Sequence, residues 1–527
     1  MKPPAPAICF ACGLATGLCL LFAAFGFAVF VLSAPALAFR LREDDAKRAL
    51  GLCAAFCFGL CAGGYCVAFR IRPDVAPNMV FGVDLATFAG ACLLHGTVLT
   101  AGLWCGARLP CRRTWRWAVL SICWALSEWA CGIGALAWPT LRLGLALWRY
   151  PVFLQTVRTF GSLFAGALVM AVNVLLAQAL CRMREKERWA KPLIAAIALF
   201  ALNAVYGIVS LATPSSGELI SVAAVQPGQP GEGQDLEAVY DASLKLAQEA
   251  AKNRPALLLT PENSTPTLFY YDADRQAQWG EVAQKSGGDL LLGGVYAAWW
   301  DGADGMTVSP MEVEASQLDE QLANGERRYS VYTRSAAYLF GADGALRQTY
   351  QKQREVPLFE NGQGRQPFQW KPVVRPGLLS GGKVKIGVLI CYESLFSSMA
   401  RRAVNEGAEI LAVTTNDARF DADAAKGLHL AHGICRALET GRPLIQAGRN
   451  GYTAVIDDKG RITASLPPED VGVLHAQARL TAARTPYLLW GDGWLALCAA
   501  ACAGMVADGL LQKKKENAGR EAKGEKE

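Results

Sequence analysis

Val384-Lys385-Ile386-Gly387-Val388-Leu389-Ile390-Cys391-Tyr392-Glu393-Ser394 sets an apolar run against a thiol and a carboxylate. A run of β-branched residues and leucine predicts a buried strand, and a residue at its end sits on rigid scaffold while staying open to a ligand. Cys391 holds that place. It is one of two cysteines between Gly217 and Leu480, the other being Cys435; the remaining fifteen of seventeen lie in the apolar ends of the chain. Two more residues are similarly placed. Glu262 follows Ala256-Leu257-Leu258-Leu259-Thr260, and Lys352 ends the segment that returns from Tyr338-Leu339-Phe340 through Gly341-Ala342-Asp343-Gly344. Chemistry at a carbonyl needs a nucleophile, a proton acceptor and a cation for the oxyanion, and these three side chains supply them. A lysine nearby lowers a thiol's pKa and a carboxylate can take its proton. Taken singly, Glu262 after Pro261 also reads as a turn cap and Lys352 as a surface charge. All three at strand ends is the harder coincidence.

Outward from this motif, strand-like runs recur at 220–225, 256–260, 289–296, 330–340, 384–391, 409–415, 443–447, 452–456 and 471–475. Helical periods fall at 235–253, 274–285, 395–406 and 427–440. Strands alternating with helices, followed by paired strands, predict a layered α/β sandwich. Residues 303–328 lack a clear period and read as an exposed insertion.

The flanks are different in kind. Hydrophobic residues make up 52% of the 527 positions, too apolar for an ordinary soluble chain, and the excess lies before about residue 212 and again at 486–511. A helix needs roughly 20 apolar residues to cross the hydrocarbon core. That ruler places spans near 48–69, 85–105, 117–137, 160–180, 192–212 and 488–511. Residues 7–39 carry no charge, and at about 1.5 Å per residue such a helix would be roughly 50 Å long, too long for one straight crossing. We read it as two short spans, 7–22 and 25–39, in preference to a cleaved signal peptide, although Ala34-Pro35-Ala36-Leu37-Ala38 resembles a cleavage site. The expected organisation is a membrane domain of seven spans over 1–216, an exported catalytic domain over 217–482, an eighth span over 483–512 and a basic tail over 513–527.

Positive charge sets the expected orientation. Arg40, Arg42, Lys47 and Arg48 follow span two; Arg108, Arg112, Arg113 and Arg116 follow span four; Arg182, Arg184, Lys186, Arg188 and Lys191 follow span six. The other connections are poorer, though Arg70, Arg72, Arg142, Arg149 and Arg158 lie there. By the positive-inside rule both termini are cytoplasmic and the domain between spans seven and eight lies outside. That compartment favours disulfides, yet Cys391 must stay reduced to react, so Cys435 is expected to be a small buried hydrophobe. No metal or cofactor is expected, since no second pair stands beside Cys9-x-x-Cys12 at ligand spacing. His429 and His432 are expected on a helix surface, and Glu128 within span five is either functional or a helix–helix hydrogen bond. The formal charge of +6 belongs to the connections and tail, which argues against a nucleic-acid partner.

These segments also carry a family resemblance. Thr260-Pro261-Glu262-Asn263-Ser264-Thr265-Pro266, Tyr350-Gln351-Lys352 leading to Val356-Pro357, and Ile390-Cys391-Tyr392-Glu393 resemble the three signature segments of the carbon-nitrogen hydrolase (nitrilase) superfamily. With the spans around them they are similar to its apolipoprotein N-acyltransferase family, over nearly the full length. The resemblance implies an αββα sandwich carried by a polytopic helical membrane domain in the bacterial inner membrane, with the sandwich on the periplasmic face. It implies Glu262 as general base, Lys352 as oxyanion stabiliser and Cys391 as acyl-accepting nucleophile, with Glu360 a second active-site carboxylate. Tyr392, Glu393, Asn416, Asp417 and Phe420 are implied to support the site or bind substrate. The reaction implied is ping-pong: a phospholipid donates an acyl chain to Cys391, and the α-amine of a diacylglyceryl-modified apolipoprotein accepts it, with membrane lipid as the surroundings and no cofactor.

Three departures bear on substrate. Arg419 stands where the family commonly has Trp, no Trp occurs between Val225 and Glu262, and Phe359 replaces the usual Gly before Glu360. Apolar side chains at Leu268-Phe269-Tyr270-Tyr271, Leu358-Phe359 and Phe420 are candidates to line an acyl path. Two other readings stand beside the transferase: a tethered amidase or nitrilase passing its acyl group to water, and a silent lipoprotein-binding scaffold, which would be expected to have lost one of the three residues.

Overall fold

The computed structural model describes residues 4–66, 81–229, 236–301, 307–308, 329–357, 360, 377–380, 382–418 and 420–524. Most of the expected insertion at 303–328, the Leu358-Phe359 pair, Arg70, Arg72 and Arg419 lie outside the described residues. The chain divides into two compact units, one holding the helices before Pro214 and after Arg484, the other Ser215–Ala483.

In the helical unit six helices among the described residues are long and apolar enough to cross a membrane: Ala23–Leu41, Ala46–Tyr65, Leu85–Arg108, Ser162–Arg184, Ala190–Ala212 and Pro486–Asn517. The expectation of eight spans is not met by length. Helix Ala5–Leu21 has 17 residues and helix Arg116–Ala130 has 15, against the roughly 20 a crossing takes. The charge-free N-terminal stretch is indeed two segments, meeting at Phe22, with Thr16 Oγ1 and Ser33 Oγ 3.2 Å apart. The span expected at 117–137 stops early because Gly132, Gly134 and Pro139 end the helix. Glu128 anchors the non-helical segment beyond it: its Oε1 accepts from Trp124 Nε1 at 2.8 Å and from the Leu143 amide at 2.9 Å. Those two bonds satisfy one oxygen of a carboxylate 2% exposed in an apolar setting, while Oε2 has no hydrogen-bond partner among the described residues.

The second unit is a four-layer sandwich. One sheet runs in the order β13 (Gly472–Leu480), β1 (Glu218–Gln226), β2 (Leu257–Leu259), β3 (Asp289–Asp301), β5 (Tyr329–Phe340), β6 (Leu346–Gln351), with β4 (Thr307–Val308) on β3. The other runs β12 (Ile462–Leu466), β11 (Thr453–Ile456), β10 (Leu444–Arg449), β9 (Ile410–Asn416), β8 (Ile386–Ile390), β7 (Leu378–Leu379). Parallel pairs β1–β2–β3 and β8–β9–β10 form the centres.

Between the sheets Val222, Leu257, Leu291 and Leu339 pack with Val388, Ile410, Ala412 and Ile445 in one core. Outside the first sheet lie α1 (Leu236–Ala251) and α2 (Ala273–Ser286), whose Tyr240, Ala247, Trp279 and Val282 cover Ala223, Leu258 and Leu290. Outside the second lie α3 (Ser397–Asn405) and α4 (Asp423–Thr440). Strands covered on both faces read as continuous apolar runs, which is why β2 and β8 are apolar throughout, and β9 from Ile410 to Val413, and not alternating. Their ends are then the places where a polar side chain reaches open space, and the site is built there.

Candidate active site

β8 is buried along its whole length and stops at Ile390. Cys391 opens the 3-10 turn Cys391–Leu395 with φ +50°, a left-handed conformation unusual outside glycine. Glu393 holds that turn in place. Its carboxylate accepts from the Ile390 amide at 2.8 Å, the Gln353 amide at 2.6 Å, the Arg354 amide at 3.1 Å and the Tyr350 hydroxyl at 3.0 Å. One fully buried acid thereby ties the turn after β8 to the chain leaving β6, bringing Cys391 beside Lys352. Burial pushes the Glu393 carboxyl up to about 7, against the pull of the Ile390 and Gln353 amides.

Lys352 leaves β6 with its amide on the Ser335 carbonyl at 2.9 Å. Its ammonium, 1% exposed, donates to Glu262 Oε1 at 3.1 Å and Glu360 Oε1 at 2.8 Å. Burial alone lowers a lysine's pKa, but the Glu262 and Glu360 carboxylates outweigh it and the ammonium stays charged. Glu262 follows β2 by three residues, is 3% exposed, and its Oε2 accepts from the Asn416 amide at 3.1 Å. Glu360 folds back so that its Oε2 accepts from the Val356 amide at 2.7 Å. Burial and the Glu262 charge push the half-buried Cys391 thiol up, and Lys352 pulls it down. A resting thiol beside a carboxylate and an ammonium is the result.

The remaining expected residues scatter around this centre. Tyr392 is buried with its ring 4.9 Å from Phe396, over which Arg354 lies at 3.8 Å. Asn416 Oδ1 accepts from the Ala418 amide, Asp417 is fully buried, and Phe420 is half-buried with its amide on the Asp417 carbonyl. Of the aromatics offered for an acyl path, Phe269 is core, packed against Tyr338. Leu268 and Tyr270 are exposed.

Two buried histidines and one buried arginine depart from the sequence expectation. His429 and His432 do not lie on a helix surface, as the sequence led us to expect: both are buried, because α4 is covered on every side from Ala425 to Thr440. His429 Nδ1 is 2.9 Å from Asp417 Oδ1, and its Nε2 is 2.8 Å from Ser394 Oγ and 3.1 Å from the Cys391 carbonyl. Arg449, at the end of β10 and 1% exposed, donates to Gln229 Oε1 at 2.9 Å. Burial lowers its pKa to about 10, against the attraction of Glu262. The available signal was placement, since Arg449 also ends an apolar strand. Cys435 is 1% exposed within α4, as the sequence suggested. Among the described residues no cluster of His, Cys, Asp and Glu is arranged to hold a metal.

A four-layer sandwich with a thiol, a buried acid and a buried ammonium at its strand ends is the build of a carbon-nitrogen hydrolase. The model of the family described as carbon-nitrogen hydrolase matches residues 221–485, and the chain belongs to that family. Within it the chain is similar to proteins named apolipoprotein N-acyltransferase. The Vibrio cholerae relative is 26% identical over 388 residues, 73% of either chain. That of Geobacter metallireducens is 25% identical over 412 residues, 74% of this chain and 73% of the relative. That of Gloeobacter violaceus is 28% identical over 531 residues, 94% of this chain and 92% of the relative, so the likeness takes in the helices as well as the sandwich.

Proposed function

We propose that this membrane protein is an N-acyltransferase that moves an acyl chain from a phospholipid, through a thioester on Cys391, to the α-amine of a diacylglyceryl-cysteine at the N-terminus of an apolipoprotein. The observation that carries the reading is the Lys352 ammonium held between Glu262 and Glu360 next to the turn that presents Cys391. Glu262 takes the thiol proton as sulfur attacks the donor ester, and the Lys352 ammonium meets the negative charge that gathers on the carbonyl oxygen. The ester C–O bond breaks and Glu262 returns the proton to the lysophospholipid oxygen. In the second half the acceptor amine attacks the thioester, Glu262 accepts the amine's proton, and the thiolate departs and is reprotonated. The thioester must be shielded from water until the amine arrives.

Both substrates are lipid-anchored, which agrees with a domain inserted between apolar helices. In this reading the protein sits in the bacterial inner membrane with the sandwich on the periplasmic face and both termini cytoplasmic, an orientation the Arg and Lys distribution supports. A reporter fused after Ser216 is expected to be active only in the periplasm; cytoplasmic activity contradicts the orientation. The function is tested by supplying purified protein with phospholipid and a synthetic diacylglyceryl-cysteine peptide. The expected product is the peptide heavier by one acyl group. Free fatty acid in its place, with the peptide unchanged, rejects the transferase in favour of hydrolysis.

A further inference from the structure

His429 lies directly behind Cys391, in a part of the site that the acyl-transfer steps leave unused. Its two ring nitrogens have different neighbours. Nδ1 is 2.9 Å from Asp417 Oδ1 and 3.5 Å from Thr415 Oγ1, whose hydroxyl donates to that same Asp417 oxygen at 3.1 Å. Nε2 is 3.1 Å from the carbonyl oxygen of Cys391 and 2.8 Å from Ser394 Oγ. A carboxylate and a carbonyl can only accept, whereas a serine hydroxyl can do either. A neutral ring carries one proton: protonated at Nδ1 it can take the Ser394 hydroxyl proton at Nε2 but leaves the Cys391 carbonyl facing a lone pair with no donor, and protonated at Nε2 it turns a lone pair toward Asp417. Only the doubly protonated ring donates to both.

We infer that His429 is a positioning residue in the imidazolium form, held by Asp417, which pins the Cys391 carbonyl and offsets the Asp417 charge behind the thiol. The inference rests on the reading of Cys391 as the nucleophile. The geometry has two consequences. The carbonyl of a residue at φ +50° is fixed by a charged donor, so the thiol keeps one direction. Asp417 is among the charges that push the Cys391 thiol up, and an adjacent cation cancels that push. The groups facing the ring agree with a cation there. Asp417 and Glu262 raise its pKa above the usual 6.5 against the cost of burial, and the Cys391 carbonyl adds to them. On α4 itself, Lys426 is paired with Asp423 and Glu469, and Arg436 with Glu439, so neither cation is left to repel it.

The test is the pH dependence of Cys391 alkylation by iodoacetamide, read by peptide mass on the full-length protein in detergent, with Cys391→Ala as the blank. His429→Gln removes the charge but keeps a donor. It is expected to slow labelling at neutral pH by about tenfold, the effect of one pKa unit, and to meet the wild-type rate on the alkaline plateau. Asp417→Asn combined with His429→Gln removes both charges and is expected to recover most of that loss. An unchanged rate profile in His429→Gln, or a double variant slower than the single one, overturns the inference. A role in packing alone predicts the latter. Absence of a Cys391 adduct on the wild type removes the nucleophile and with it this inference, an outcome distinct from labelled protein with superimposable profiles. If His429→Gln does not fold, nitrogen NMR of histidine-labelled wild type, which has four histidines, decides. One ring doubly protonated above the usual histidine range is expected, and four neutral rings contradict the inference.

Discussion

The Lys352 ammonium sits 3.1 Å from Glu262 Oε1 with both side chains almost wholly out of water, and Glu360 completes the cradle at 2.8 Å. Removing the cation strands two acids. Lys352→Met is expected to abolish acylation and to destabilise the sandwich by about 3–5 kcal/mol, the usual cost of leaving one partner of a buried pair. Thermal unfolding with and without the substitution measures this, and an unaltered midpoint would show the pair to be energetically idle.

Glu262 is positioned from behind by Gly293 on β3. A Cβ at Gly293 would come within 2.2 Å of the Pro261 carbonyl and 3.0 Å of the Glu262 amide. Gly293→Ala must therefore shift the Pro261–Glu262 backbone relative to β3. Its expected signature is at least a tenfold fall in acylation rate, about 1.4 kcal/mol of barrier, from a change that removes no chemical group. Full activity in the variant would mean that the Glu262 position tolerates displacement.

Glu393 titrates within reach of ordinary buffers. Burial raises its folded pKa from 4.5 to about 7, so within that window the folded chain holds more protons than the unfolded one. Its contribution to stability is thus fully present below about 4.5 and is lost as pH rises through about 7. Unfolding midpoints measured across this window are expected to show that slope in the wild type and to lose it in Glu393→Gln. Parallel curves would assign the slope to another group.

Cys435 is the control for thiol chemistry. Buried at 1% exposure in α4, it packs as a hydrophobe. Cys435→Ala is expected to keep the acyl adduct and its rate, and loss of the adduct would move the nucleophile away from Cys391.

Burial decides which features were legible in the sequence and which were hidden. Runs such as Ile386–Ile390 announce buried strands by being apolar throughout, and Cys391 and Glu262 stand just beyond such runs, where the open end of a sandwich must be, while Lys352 ends the more polar β6 segment. The four helices between strands were readable from their periods. His429 was not, for a specific reason. Lys426, His429, His432, Arg436 and Glu439 recur every three to four residues along α4 and imitate a solvent-facing stripe. In the structure that stripe is inside: Arg436 donates to the Ser394 and Leu395 carbonyls at 3.1 and 2.9 Å, and His429 reaches Cys391. A polar stripe whose charges pair among themselves, as Arg436 and Glu439 do at i and i+3, was the available clue. The helix 116–130 was over-read because apolar composition runs past Ala130 while Gly132 and Pro139 forbid helix there. What surrounds Arg419 lies outside the described residues, so the departure at that position bears on substrate choice through sequence alone.

Whether Cys391 accepts the acyl chain is read by intact-mass spectrometry of the purified protein incubated with phospholipid alone. One hydroxylamine-sensitive acyl adduct is expected on the wild type, persisting until an amine acceptor is added and absent from Cys391→Ala, Glu262→Gln and Lys352→Ala. No adduct on folded wild type, or an equal adduct on Cys391→Ala, would contradict acylation at Cys391.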